Sequence, residues 1–204
     1  DLVDRGLYST LFPYELIEEE AKVQKIDVVS KDEFEKESDA HKEQSRSTGK
    51  GMFKGGLADH SEVITKYHTA THLLQAALRQ VLGSHVHQEG SNITGERLRF
   101  DFSFERKLTE NEIKKITEIV NDQIDQGLER KVETTTYEEA IKSGAMAFFK
   151  ERYPDKVTVY SFGDFSKEIC GGPHVENTKV LGKFKIIKEE SVAAGIRRIY
   201  ATLS

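Results

Sequence analysis

The sequence predicts an α+β fold: long helices packed on an antiparallel sheet, with a small helical appendage at the N-terminus. Three observations predict it. An apolar stripe at helical spacing runs through Val63, Ile64, Tyr67, Ala70, Leu74, Ala77, Leu78 and Val81. Strand-like alternation recurs at 97–103, 157–162, 182–188 and 196–203. Short turns, Thr94-Gly95-Glu96 and Val192-Ala-Ala-Gly195, join successive strands, which suits antiparallel pairing.

In chain order, residues 14–23 and 31–46 read as two polar helices, the second with few apolar positions to bury. The stretch 45–59 is rich in Gly and Ser, has no period and lacks the G-x-x-x-x-G-K-[ST] order of a nucleotide loop, so it reads as a linker. The chain is accordingly divided into a helical segment and linker, 1–50, and a main domain, 51–204. The helix from Ser61 to Leu82 carries the stripe, with His68 and His72 at its edge, and Gly83 ends it. The hairpin 85–103 puts Leu98, Phe100 and Phe102 on one face and Arg97, Arg99 and Asp101 on the other. Thr109-Glu-Asn-Glu112 is a capping box that opens a helix running to Gly127. A strand at 131–136, a short helix at 137–143, an apolar turn at 145–149 and the strand 157–162 lead into 166–174. Two more strands, 182–188 and 196–203, close the chain.

Composition narrows the function classes. No apolar run among the 204 residues is long enough to span a bilayer, which argues against a membrane role. A single cysteine excludes an internal disulfide framework and suits a reducing, cytoplasmic compartment. The chain starts at Asp1 rather than Met, which predicts a piece of a longer polypeptide. The net charge of -5 is uneven: residues 1–60 hold nine Lys/Arg against fourteen Asp/Glu, whereas residues 179–204 hold six basic and two acidic side chains. That basic end, with Lys183, Arg197 and Arg198, could sit on phosphates or be a solvated strand surface.

The chemistry concentrates in His68-Thr-Ala-Thr-His72 and Cys170-Gly-Gly-Pro-His174. Helical residues four apart lie one turn above each other, so two imidazoles can converge on one point. A tetrahedral ion such as Zn2+ needs four N or S donors, and the only cysteine has a histidine four residues on. Both pairs would arise together by accident in about one chain per hundred of this composition. Gly171 and Gly172 permit the tight turn that brings Cys170 and His174 to one ion, and Pro173 stiffens it. The general-base Glu of the H-E-x-x-H helix is missing, which argues against a zinc peptidase. A closed structural zinc and a hydrolase that uses zinc to place or polarise a carbonyl both remain open at this point.

Five stretches, 68–79, 86–91, 99–103, 170–175 and 194–199, occur in the order seen in the editing domain of alanyl-tRNA synthetase, which the sequence from about Gly55 onward resembles. Similar domains occur in free-standing alanyl editing proteins and in threonyl-tRNA synthetase. Upstream, Leu11-Phe-Pro-Tyr-Glu-Leu looks like the end of the synthetase's aminoacylation part, and ATP binding would belong to the full-length enzyme. The resemblance implies a cytoplasmic aminoacyl-tRNA deacylase domain that removes serine or glycine from the acceptor end of tRNA(Ala), alongside the remaining synthetase domains. It implies that His68, His72, Cys170 and His174 hold zinc, with His72 and Cys170 thereby part of the catalytic site. Thr71 would judge the amino acid's hydroxyl, and Gln88 would touch the ester or terminal ribose. Lys183, Arg197 and Arg198 would face tRNA.

The physical need for such a site is clear: a pocket that activates alanine cannot strongly reject an isostere with an added hydroxyl, nor the smaller glycine. Pro173 stands where the alanyl family usually has Thr, and Cys-x-Gly-Pro-His resembles the threonyl site, whose substrate would be Ser-tRNA(Thr). The stretches 99–103 and 194–199 favour the alanyl assignment. Thr71 could instead bond its own helix, Gln88 could be a strand-surface residue, and His85 and His87 read as polar neighbours. The competing class is a non-catalytic, zinc-stabilised tRNA-binding module.

Overall fold

The computed structural model describes residues 30, 31, 61–148 and 153–204. The expected N-terminal appendage, apart from Ser30 and Lys31, the glycine-rich linker and the 50/51 division lie outside the described residues.

Helix α1 (Glu62–Leu82) begins at Ser61, whose hydroxyl accepts from the Ile64 N–H, and ends at Gly83, whose N–H donates to the Arg79 carbonyl at φ 117°. Strands β1 (Gln88–Ile93) and β2 (Leu98–Ser103) form the expected hairpin, with a register shift between Gln88 and Gly90. Helix α2 (Glu110–Asp125) starts with both reciprocal bonds of the Thr109/Glu112 capping box. Strand β3 (Arg130–Thr136), helix α3 (Tyr137–Lys142), strand β4 (Lys156–Phe162) and strand β5 (Ser166–Ile169) follow. A single 3-10 turn, Thr178–Leu181, precedes β6 (Phe184–Ala193) and β7 (Ile196–Leu203).

Among the described residues the architecture is α+β, with two antiparallel sheets where the alternation alone suggests one. The order β1-β2-β7-β6 makes a four-stranded sheet and β3-β4-β5 a three-stranded one. Alternation reports which way side chains point, and it carries no information about which strands share hydrogen bonds. Strand β6 also extends past Lys188, its expected end, because its ladder to β7 continues to the Ala193–Ile196 pair.

The main core lies between α1, α2 and one face of the four-stranded sheet. Leu73, Leu74 and Leu78 of α1, Phe100 and Phe102 of β2, Ile116 and Val120 of α2 and Phe184 of β6 are all fully buried there. Each such side chain contributes about 1.5–3 kcal/mol of hydrophobic stabilisation. A smaller core of Ala140, Ala145, Val157, Val159 and Ile169 serves the three-stranded sheet. The Tyr67 hydroxyl pins α1 to the sheet, donating to the Glu96 carbonyl and accepting from the Leu203 N–H.

Two expectations for α1 are corrected. Val63, on the apolar stripe, is 43% exposed although Ile64 in the same turn is 2% exposed: periodicity sets direction, and coverage by other elements decides burial. His68 and His72, expected at the edge of the stripe, are buried, because α1 also packs against β5. Thr69, Thr71 and Gln75 on that side are buried too. Among the described residues, no helix is long and apolar enough to cross a membrane.

Candidate metal centre

His68 and His72 come from the middle of α1, and Cys170 and His174 from the turn that follows β5. One ligand atom from each of the four lies within 4.8 Å of the others. The three imidazoles crowd together: the His174 ring centroid is 4.3 Å from that of His68 and 4.2 Å from that of His72. Phe162 closes one side, edge-on to His72 and His174, and Tyr160 lies 4.6 Å from the His174 ring.

The turn depends on Gly172. Its φ of 60° is a left-handed conformation, and a Cβ there would stand 2.5 Å from the Tyr160 hydroxyl oxygen. With that turn in place, the Pro173 carbonyl reaches back to accept from His68 Nδ1 at 2.9 Å.

Hydrogen-bond bookkeeping orients the rings. Since a carbonyl only accepts, the Pro173 contact puts the proton of His68 on Nδ1 and turns Nε2 toward Cys170 Sγ, 3.4 Å away. The Thr69 hydroxyl donates to the Thr65 carbonyl and accepts from the Val175 N–H, so its remaining lone pair accepts from His174 Nδ1 at 3.3 Å. His174 Nε2 is then a bare, buried acceptor with no partner. His72 Nε2 is 3.2 Å from Glu168 Oε2, and His72 Nδ1 is buried without a partner. Such orphaned atoms cost about 1–3 kcal/mol each, and a buried unsatisfied group of this kind is one signature of an ion site.

Burial dominates the electrostatics. It holds His68 down to about 4 and His72 and His174 well below the usual histidine range, so all three imidazoles are neutral, the form that binds metals. It pushes the Cys170 thiol up to about 12 and the Glu168 carboxyl up to about 8. With its imidazole held neutral by burial, His72 meets Glu168 in a hydrogen bond rather than an ion pair. Three neutral imidazoles and one sulfur within reach of one point fit a divalent, zinc-like ion.

The other expected site residues spread out from this centre. Thr71 is buried, and its hydroxyl donates to the His68 carbonyl at 2.7 Å, so it does bond its own helix. Gln88 is half-buried at the start of β1, opposite Phe102. Arg197 is buried and paired with Glu189, Arg198 makes two bonds to Asp101 at 2.6 and 2.8 Å, and Lys183 is exposed. The Arg198–Asp101 pair faces directly across the β2–β7 ladder, which explains how Asp101 tolerates burial.

Sequence reasoning missed Thr69, Glu168 and Tyr160. A signal for Glu168 existed. Read as a strand, 166–170 puts Ser166, Glu168 and Cys170 on one face, so the carboxyl and the thiol point the same way. Thr69 lies three residues before His72 and four after Thr65, both neighbouring positions on the helix surface.

The chain is similar to known proteins along most of its length. Residues 157–200 match the family described as "Threonyl and Alanyl tRNA synthetase second additional domain". An alanine-tRNA ligase of Treponema denticola is 54% identical over 198 residues, covering 97% of this chain and 33% of that protein. An alanine-tRNA ligase of Borreliella burgdorferi is likewise 54% identical over 198 residues, with the same coverage of both chains. An alanine-tRNA ligase of Thermoanaerobacter pseudethanolicus is 53% identical over 134 residues, 66% of this chain and 15% of that protein. Residues 157–200 thus carry the threonyl and alanyl tRNA synthetase second additional domain, and the chain matches alanine-tRNA ligases along 97% of its own length while spanning about a third of the length of the first of these relatives.

Proposed function

We propose that this chain is a zinc-dependent editing deacylase that hydrolyses the aminoacyl ester of Ser-tRNA(Ala) and Gly-tRNA(Ala), acting with the other domains of an alanine-tRNA ligase. The observation that carries the reading is the convergence of His68, His72, Cys170 and His174 within 4.8 Å, with buried nitrogens of His72 and His174 left for an ion. A zinc ion held there would supply Lewis acidity and an anchor for the aminoacyl end.

The chain's own residues give the rest of the reading. Thr71 has spent its proton on the His68 carbonyl, so its hydroxyl can only accept, and a seryl hydroxyl is a donor that alanine lacks. Gln88 offers an amide to the ester or the terminal ribose. Water adds to the ester carbonyl, the acyl C–O bond breaks, and the ribose oxygen leaves with a proton. The burial of His68, His72 and His174 keeps bulk water from the ring side of the centre, and the partly exposed Cys170 marks the open side. Lys183, with Arg197 and Arg198 of the inner strand β7, would meet the tRNA backbone.

A second reading has one specific observation in its favour. Three ligand histidines no more than 7% exposed resemble a closed structural zinc, which would make this a non-catalytic tRNA-binding module. The test is release of serine from Ser-tRNA(Ala) by the 204-residue chain, beside Gly-tRNA(Ala), Ala-tRNA(Ala) and Ser-tRNA(Thr), with a His72→Ala control assayed for zinc. Hydrolysis of the two mischarged alanine tRNAs, lost together with zinc in the control, is the expected result. Preference for Ser-tRNA(Thr) moves the assignment to the threonyl system, and zinc binding without hydrolysis of any substrate selects the module.

A further inference from the structure

Each imidazole of the centre turns one nitrogen outward, and one of the three is turned the other way round. His68 and His174 turn out Nδ1, to the Pro173 carbonyl and the Thr69 hydroxyl, whereas His72 turns out Nε2, to Glu168 Oε2. His72 Nδ1 and His174 Nε2 are the nitrogens left buried without partners.

We propose that Glu168 is a positioning residue: by accepting the His72 Nε2–H it makes His72 present Nδ1 to the metal, while His68 and His174 present Nε2. This rests on the metal-centre reading above. The Glu168 side chain is 1% exposed, and its other oxygen, Oε1, accepts from Ser166 Oγ at 3.4 Å. A carboxyl so deeply buried is costly unless its oxygens are used, and these two are used on a ligand histidine and on a neighbour that holds the group still. The pairing of Tyr160 with Glu168 in the β4–β5 ladder anchors the acceptor on a strand that Cys170 immediately follows, its N–H bonded to the Thr158 carbonyl. Strand β5 thus carries the group that aims one ligand, and the turn that leaves its end carries another. Acceptors of this kind fix the tautomer and orientation of a ligating histidine and raise its basicity.

The test uses the full chain, 15N-labelled, with zinc as the probe. Long-range 1H–15N correlation spectra of the zinc-loaded protein identify the protonated nitrogen of each imidazole. Competition with a chromogenic chelator gives the zinc Kd for wild type, Glu168→Ala and Glu168→Gln, with thermal melting to verify folding. In the loaded wild type His72 carries its proton on Nε2, and His68 and His174 carry theirs on Nδ1. Glu168→Ala raises the zinc Kd about 10–100-fold, and Glu168→Gln, whose amide oxygen still accepts, recovers most of the loss. A His72 proton on Nδ1, or a folded Glu168→Ala with a Kd within about twofold of wild type, overturns the proposal. The wild-type spectrum decides the matter even where Glu168→Ala does not fold. A wild-type chain that binds no zinc overturns the metal-centre reading and this proposal with it, whereas zinc bound equally by wild type and Glu168→Ala overturns this proposal alone.

Discussion

Thr69 Oγ1 and His174 Nδ1 lie 3.3 Å apart across 105 residues of sequence, and that contact joins the two halves of the centre through a hydroxyl whose every hydrogen-bonding capacity is filled. Thr69→Val keeps the shape and removes the oxygen. The buried His174 Nδ1 and Val175 N–H then lose their acceptor, at about 1–3 kcal/mol for each group. The expected destabilisation is about 2–4 kcal/mol, read from urea unfolding, while Thr69→Ser loses only a methyl, about 1 kcal/mol. Equal stability of the two variants would show that the hydroxyl is not what joins α1 to the Cys170–His174 turn.

Gly172 and Tyr160 make a coupled pair. Gly172→Ala meets two penalties: the left-handed backbone, about 1–2 kcal/mol for an L-residue, and collision of the new Cβ with the Tyr160 hydroxyl oxygen. Tyr160→Phe removes the atom at 2.5 Å and leaves in place the backbone penalty and the 3.0 Å approach to the ring Cζ. A double-mutant cycle should therefore find Gly172→Ala less damaging in the Tyr160→Phe background, with a coupling of about 0.5–3 kcal/mol. Strict additivity would mean that the turn relaxes away from Tyr160 without cost.

Val63 and Leu74 share a stripe in the sequence and separate in the structure, at 43% and 0% exposed. Leu74→Ala should cost about 2–5 kcal/mol, the range for a buried leucine. Val63→Ala should stay within about 0.5 kcal/mol of wild type, as surface changes usually do. The two denaturation midpoints measured side by side test whether coverage, rather than periodicity, decides the energetics of α1.

What was legible in the sequence was what depends on near neighbours. Thr109 and Glu112 announce a helix start because both partners of the capping box lie within one turn, and Leu98, Phe100 and Phe102 announce their face because strand side chains alternate. The four ligand candidates were legible for a different reason: soft donors are scarce in this chain, with one cysteine and seven histidines, so their spacing stands out. Glu168, Thr69 and Tyr160 were not, because glutamate, threonine and tyrosine are common and their roles arise only when β5 is laid against α1. The ion pairs of Arg197 and Arg198 were hidden likewise, since Glu189 and Asp101 meet them only through the ladders of the four-stranded sheet.

The acid response of α2 provides the last prediction. The Arg106 hydrogen bond is the chief cause that holds Glu112 down to about 2, the Thr109 N–H and hydroxyl add to it, and partial burial opposes them. Arg106 makes two bonds to Glu112, at 2.9 and 2.7 Å. In the unfolded chain a glutamate titrates near about 4.3. A group whose folded pKa lies below its unfolded one contributes stability that is complete above the unfolded value and disappears as pH falls toward the folded one. The window is therefore about pH 4.5 down to about pH 2, and solvent screening keeps the contribution small because the pair is partly exposed. Glu112→Gln retains a side chain able to cap the helix and removes the charge. Urea midpoints of wild type and Glu112→Gln should differ most at neutral pH, converge toward pH 2, and differ less at neutral pH in about 1 M salt. A difference that does not change with pH would assign the stabilisation to the cap alone and leave no role for the Arg106 charge.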